Sequence, residues 1–229
     1  MSTFVLIHGA YQGGWIWKPV VEQLIAEKHR VFAPSLDGCG ERRGQVRAGI
    51  TTESHAAEIA DLLFYEDLKA VVLVGTSNGG MVMARAAELA RERVARLIFV
   101  DALALLNGEA LPDIVKRPTA VNTELTSGPS RQDMEARMFS DLEPAMRQWA
   151  IDRCTPHPIA TMTAPVKLER FWDQAWNASV IWCRKSSNPP VAHQRRTADR
   201  LRGRWHELDT GHYPMLSEPV APVQLIAEE

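Results

Sequence analysis

Cysteine is scarce in this chain. Its 229 residues hold three, Cys39, Cys154 and Cys183, too few and too scattered for a disulfide framework or a zinc site. A reducing, cytoplasmic compartment is therefore expected. An excess of one charge is also missing: 26 basic against 28 acidic side chains leave a net charge of -2, no footprint for nucleic acid or another polyanion. No apolar run approaches the length of a membrane span. Met1 leads almost directly into an apolar strand, without a basic leader or a cleavage-site pattern, so no membrane partner is expected. Internal repeats and low-complexity linkers are absent, and 45% apolar residues suffice for one domain over residues 1–229 to bury a core. The last absence is local. No Asp or Glu stands between Asp173 and Asp199.

What is present alternates between short apolar runs and helical patterns. Residues 4–7, 29–34, 71–74, 94–100, 179–183 and 205–208 read as buried strands. Residues 15–25, 52–63 and 81–90 read as helices, the second with Thr51, Thr52 or Ser54 as candidate caps, and 197–201 lies in a helical stretch. From about 103 to 170 the alternation stops. Pro112, Pro118, Pro129, Pro144, Pro156, Pro158 and Pro165 punctuate short helical pieces at 132–139 and 143–152, the pattern of an inserted lid rather than a second domain. The fold class is α/β: a mostly parallel, doubly wound sheet with helices on both faces and a small lid insertion. Ligands of such sheets bind outside the carboxyl ends of the strands.

At 71–80 the chain reads VVLVGTSNGG, a strand, a G-x-S-x-G turn and the start of a helix. That context separates a nucleophile elbow from a plain βα turn, its bland alternative. A turn this sharp strains the φ/ψ of Ser77, exposes its Oγ at a strand end and sets a helix N-terminus behind it. Three more groups fall at carboxyl strand ends: the glycine-rich loop at 8–14, Asp101, and His212 in the loop Gly211-His212-Tyr213-Pro214. The 8–14 loop lacks both the Walker lysine and the G-x-G-x-x-G spacing, so it reads as a turn with free amides rather than a nucleotide loop. A serine facing a histidine points to nucleophilic catalysis, with His212 taking the proton. His29, His55, His157, His193 and His206 read as surface or packed residues, and His8 as a residue that shapes its loop.

These residues carry a family resemblance. FVLIHGA at 4–10, GTSNGG at 75–80 and GHYPMLSEP at 211–219 resemble the α/β-hydrolase fold. More narrowly they resemble the small cofactor-free esterase group related to plant methylesterases and hydroxynitrile lyases. LDGCGER, FVDAL and LDTGH are similar to bacterial α/β-fold hydrolases, and the likeness spans almost the whole chain. It implies a small-molecule substrate, no metal or organic cofactor, Ser77 as nucleophile and His212 as base. It also implies an oxyanion hole made by the backbone N–H groups of Ala10 and Asn78.

The acid departs from the usual family pattern. Most members carry it in the loop after the strand at 179–183, which here reads RKSSNPP. Asp101, one strand after the nucleophile, is the expected substitute; certain lipases, haloalkane dehalogenases and cofactor-free dioxygenases place their acid there. The alternatives are Asn188 as a neutral orienter, Asp209, or no acid at all, with Asp101 then a structural cap. Thr76 and Asn78 flank the serine where histidine and an apolar residue are frequent, and are expected to face the pocket. Hydroxynitrile lyases of the group carry threonine where Gly9 stands and lysine where Tyr213 stands, which argues against cyanohydrin cleavage. A serine nucleophile argues against epoxide hydrolases and dehalogenases, which use aspartate.

The expected function is hydrolysis of a small ester, carbamate or lactone through an acyl-enzyme, with Trp149, Phe171, Trp172 and Trp176 as candidate pocket walls, each of which taken singly reads more readily as core. One alternative is a cofactor-free lyase or dioxygenase in which His212 only abstracts a proton. The other is a non-catalytic small-molecule receptor on the same fold. An exposed lid edge leaves room for a homodimer.

Overall fold

The apolar runs pair into one sheet. The computed structural model describes residues 1–115 and 120–227. In chain order its strands are β1 (Thr3–Ile7), β2 (Arg30–Phe32), β3 (Val71–Ser77), β4 (Val94–Ala102), β5 (Ala120–Asn122), β6 (Thr126–Pro129), β7 (His157–Pro158), β8 (Ala178–Cys183) and β9 (Arg204–Leu208). The main sheet runs β2-β1-β3-β4-β8-β9, and every pairing in it is parallel. Strand order reverses between β1 and β3, so the crevice that such sheets use for ligands opens there. Both the 8–14 loop and the serine turn leave the sheet at that point.

Alternation along each strand sends side chains into two layers. Val5, Ile7, Leu73, Phe99 and Val180 pack in one layer with residues of α2 (Thr52–Tyr65), α3 (Gly79–Leu89) and the helix Val191–Leu201. Phe4, Leu6, Val72, Val74, Ile98 and Ile181 pack in the other with α1 (Lys18–Ala26) and the helix Val220–Ala227. Both faces are covered, as near-continuous apolar strands require. The helix expected from residue 15 starts as a 3₁₀ turn, Gly14–Trp17, and becomes α-helical at Lys18, where Pro19 fits the first turn. Thr51 is the cap of α2: its Oγ1 accepts from the Ser54 N–H at 3.3 Å, and Ser54 Oγ accepts from the Thr51 N–H at 2.9 Å.

Between β4 and β8 the chain forms short helices, including Leu111–Ile114, Pro144–Ile151 and Ala160–Thr163, around a small antiparallel sheet, β5-β6-β7. Pro118, one of the prolines that mark this region, lies outside the described residues. Among the described residues, no helix is long and apolar enough to cross a membrane.

Candidate active site

Ser77 ends β3 with φ +50°, a left-handed conformation that costs a side-chain-bearing residue energy and that the surroundings must enforce. They do so through close backbone packing. A Cβ on Gly79 would come within 2.5 Å of both the Ile7 and His8 carbonyl oxygens, and one on Gly80 within 2.3 Å of the Leu103 oxygen. Ser77's own carbonyl accepts from the Leu103 N–H at 2.9 Å, tying the elbow to the end of β4. Helix α3 starts directly behind the serine, so its positive end faces the Oγ.

The 8–14 loop sits against the elbow. The Gly9 N–H is taken by Gln12 Oε1 at 3.1 Å, while the Ala10 and Asn78 N–H groups have no acceptor among the described residues. His8 does shape this loop. Its Nδ1–H donates to the Gly9 carbonyl at 2.8 Å and its Nε2 accepts from the Leu36 N–H at 3.0 Å, and burial pushes its pKa down to about 4.

Asp101 owes its position to an irregularity that no sequence pattern announces. Thr76 pairs with Val100, but Ser77 pairs with Ala102, so Asp101 is an extra residue in β4, with φ +44°. A bulge of this kind re-aims a side chain. The carboxylate is wholly buried and its Oδ2 accepts from His212 Nδ1 at 2.5 Å. Its Oδ1 accepts from Gln194 Nε2 at 2.6 Å and from the Cys183 N–H at 3.3 Å. The alternatives for the acid lie elsewhere: Asp209 is exposed and pairs with Lys185 at 3.1 Å and Arg184 at 3.5 Å, and Asn188 stands at the cavity mouth.

Ser77 and His212 line one cavity of about 260 Å³, together with Ala10, Tyr11, Leu103 and Tyr213. Val115, Pro129, Met138 and Asp141 close it from the segment between β4 and β8. No hydrogen bond joins Ser77 Oγ to His212 among the described residues; such contacts are often loose before substrate arrives. Among the described residues, no group of three or more His, Cys, Asp or Glu could hold a metal ion.

Two expectations need correction. Trp149, Phe171, Trp172 and Trp176 do not line the cavity. Phe171 and Trp176 stack on each other at 5.3 Å within the core, the Trp172 indole donates to the Leu105 carbonyl, and Trp149 lies edge-on to Trp15. Their apolar area is spent on packing. Thr76 and Asn78 do not face the cavity either; both are buried at the elbow, where the sharp turn sends only the serine outward. The residue that sequence reasoning missed is Gln194. Its signal was present, since residues 193, 194, 197, 198 and 201 form a buried helical stripe, and a polar residue on such a stripe needs a partner.

A family model described as the alpha/beta hydrolase family matches residues 4–224. The chain belongs to this family. A carbendazim-hydrolyzing esterase of Nocardioides sp. (strain SG-4G) is 29% identical over 180 residues, which are 73% of this chain and 74% of that protein. Methylesterase 3 of Arabidopsis thaliana is 32% identical over 142 residues, 61% of this chain but only 51% of its own length. Among solved structures, an extracellular alpha/beta-hydrolase from a Paenibacillus species superposes with a TM-score of 0.85 at 20% identity, over all of this chain and 98% of that one. Polyneuridine aldehyde esterase superposes at 0.80 and 20% identity, again over 100% and 98%. At such identities the structures speak for the fold. With esterases and methylesterases as its relatives, this α/β hydrolase is of the esterase type.

Proposed function

We propose that this α/β hydrolase cleaves a small ester, carbamate or lactone through an acyl-enzyme on Ser77, without metal or organic cofactor. The observation that carries the reading is the hydrogen bond between His212, which lines the cavity with Ser77, and the buried Asp101 carboxylate. His212 Nε2 takes the Ser77 hydroxyl proton as Oγ attacks the substrate carbonyl. Asp101 receives the Nδ1–H, fixes the tautomer and stabilises the imidazolium. The oxyanion is received by the Ala10 and Asn78 N–H groups, which have no acceptor to give up among the described residues. His212 then protonates the departing alcohol, and water, activated by the same imidazole, releases the acid. The cavity is small, which suits a short acyl group and a compact alcohol. A cytoplasmic setting agrees with three free cysteines; burial raises the Cys39 and Cys154 thiols to about 12, away from reactivity.

Hydrolysis of short-chain p-nitrophenyl esters tests the reading. Ser77→Ala and His212→Ala should abolish turnover, and Asp101→Asn should lower kcat by about four orders of magnitude at near-constant KM. A serine-directed phosphonate should label Ser77 and no other residue. Turnover that survives Ser77→Ala would sink the acyl-enzyme and favour proton abstraction by His212 alone.

A further inference from the structure

We infer that Gln194 is a positioning residue that acts through Asp101, an inference that rests on the serine-esterase reading above. A wholly buried carboxylate needs donors on both oxygens. His212 serves Oδ2, and the Cys183 N–H reaches Oδ1 only at 3.3 Å, so a closer donor must complete the satisfaction of Oδ1. Gln194 does this at 2.6 Å from the helix Val191–Leu201, and the same amide nitrogen donates to the Pro189 carbonyl at 3.1 Å.

The orientation of this amide is forced. Both neighbours of its nitrogen are acceptors, and turning the amide over would set oxygen against oxygen at each. Yet Gln194 Oε1 is itself buried with no partner among the described residues. A glutamine kept only to fill space would not leave a buried acceptor empty while both its protons point at one carboxylate and one carbonyl. The side chain gives up its own satisfaction to hold the acid.

Two consequences follow for the chemistry. The Gln194 bond, with the longer one from the Cys183 N–H, stops rotation of the Asp101 carboxylate, which keeps Oδ2 aligned with the His212 Nδ1–H. It also ties the acid to the loop after β8, the place where most of the family carries the acid itself. Removing the donor destabilises the negatively charged Asp101–His212 pair more than the protonated pair.

The experiment uses Gln194→Met, which keeps length and volume but has no donor. Expected are a roughly tenfold to hundredfold fall in kcat, as for a lost hydrogen bond to a charged group, and a KM within about threefold of wild type. The acid limb of the kcat/KM profile should move up by roughly half to one pH unit. In an Asp101→Asn background the same substitution should cost nothing further, because the coupling partner is gone. Should the methionine variant fail to fold, Gln194→Asn keeps the amide one carbon short of the acid and gives the same readouts. In protein labelled with ¹⁵N-histidine, the downfield Nδ1–H proton of His212 reports the bond whether or not an ester turns over. Inert wild type thus sinks the esterase reading while the resonance still tests Gln194. A folded variant whose resonance and acid limb match wild type overturns the inference, as does an equal loss in the Asp101→Asn background.

Discussion

Gly9 shows how little room the reaction centre leaves. A Cβ there would stand 2.7 Å from Ser77 Cβ and 3.3 Å from its Oγ, and the Ser77 Cβ cannot retreat because the elbow is clamped by carbonyl oxygens on both sides. The conformation of Gly9 is unremarkable; what demands glycine is the approach of the loop to the nucleophile. Gly9→Ala should therefore move either Ser77 or the Ala10 N–H by a fraction of an ångström to an ångström. The expected outcome is a fall in kcat of roughly a hundredfold, the usual cost of misplacement on that scale, with a folded protein and a KM little changed. Steady-state kinetics and a thermal melt on the same sample check it. A variant with wild-type kcat would show that the loop can slide without harm, and would weaken the case for Ala10 as an oxyanion donor.

Among the elements, strand β3, the elbow and α3 behave as one rigid unit, because α3 approaches the sheet through glycine faces. Gly79→Ala would drive a methyl group against the Ile7 and His8 carbonyl oxygens, both backbone atoms that cannot rotate away. It should destabilise the fold by about 1–3 kcal/mol, the usual cost of overpacking, read as a lower urea midpoint at unchanged slope. Gly44→Ala, with nothing within 4 Å of the added methyl, should leave the midpoint in place. This unit was also the part most legible in sequence. Four apolar residues followed by a glycine-bracketed serine encode strand, turn and helix locally, so 71–90 is readable without tertiary information. Asp101 was legible from its place at the carboxyl end of a strand together with an absence, the missing carboxylate after β8. The register shift that aims it arises from pairing with β3, which no local pattern records. The small sheet β5-β6-β7 left no sign because its strands are two to four residues long and partly polar. The aromatic residues misled for a related reason: composition tells how much apolar area a segment has, but not which side of it meets the core.

The molecule as a whole is built to keep several histidines neutral, and this sets how it responds to acid. Burial is the main cause at each: it lowers His8 and His193 to about 4 and pushes His55 down as well. In the unfolded chain these histidines take a proton near 6.5, while in the folded protein His8 and His193 refuse it until about 4 and His55 is shifted the same way. The unfolded state therefore binds more protons throughout that window. The stability these residues confer is complete above about pH 6.5 and is lost as pH falls toward 4, at about 1.4 kcal/mol per pH unit for His8 and for His193. Carboxylates titrate lower. Arg47 beside Asp37, Arg85 beside Glu53 and Arg196 beside Glu109 hold those groups below their ordinary values of 3.8, 4.5 and 4.5. Their contribution fades only as the pH falls below about 4.5. Urea unfolding at pH 7 and pH 5 should thus show a clear drop in midpoint, and His193→Gln should flatten it. An unchanged midpoint would mean that the histidines take up protons in the folded state without penalty. Activity should fall at the acid end of that window, near pH 4, for a second reason. A protonated His8 can no longer accept from the Leu36 N–H, and the loop that presents Ala10 to the oxyanion loses one of its anchors. In protein that is still folded, kcat should therefore fall as the pH nears 4, and His8→Asn, whose side-chain oxygen can accept without titrating, should be less sensitive between pH 5 and 4 even if it is slower at pH 7.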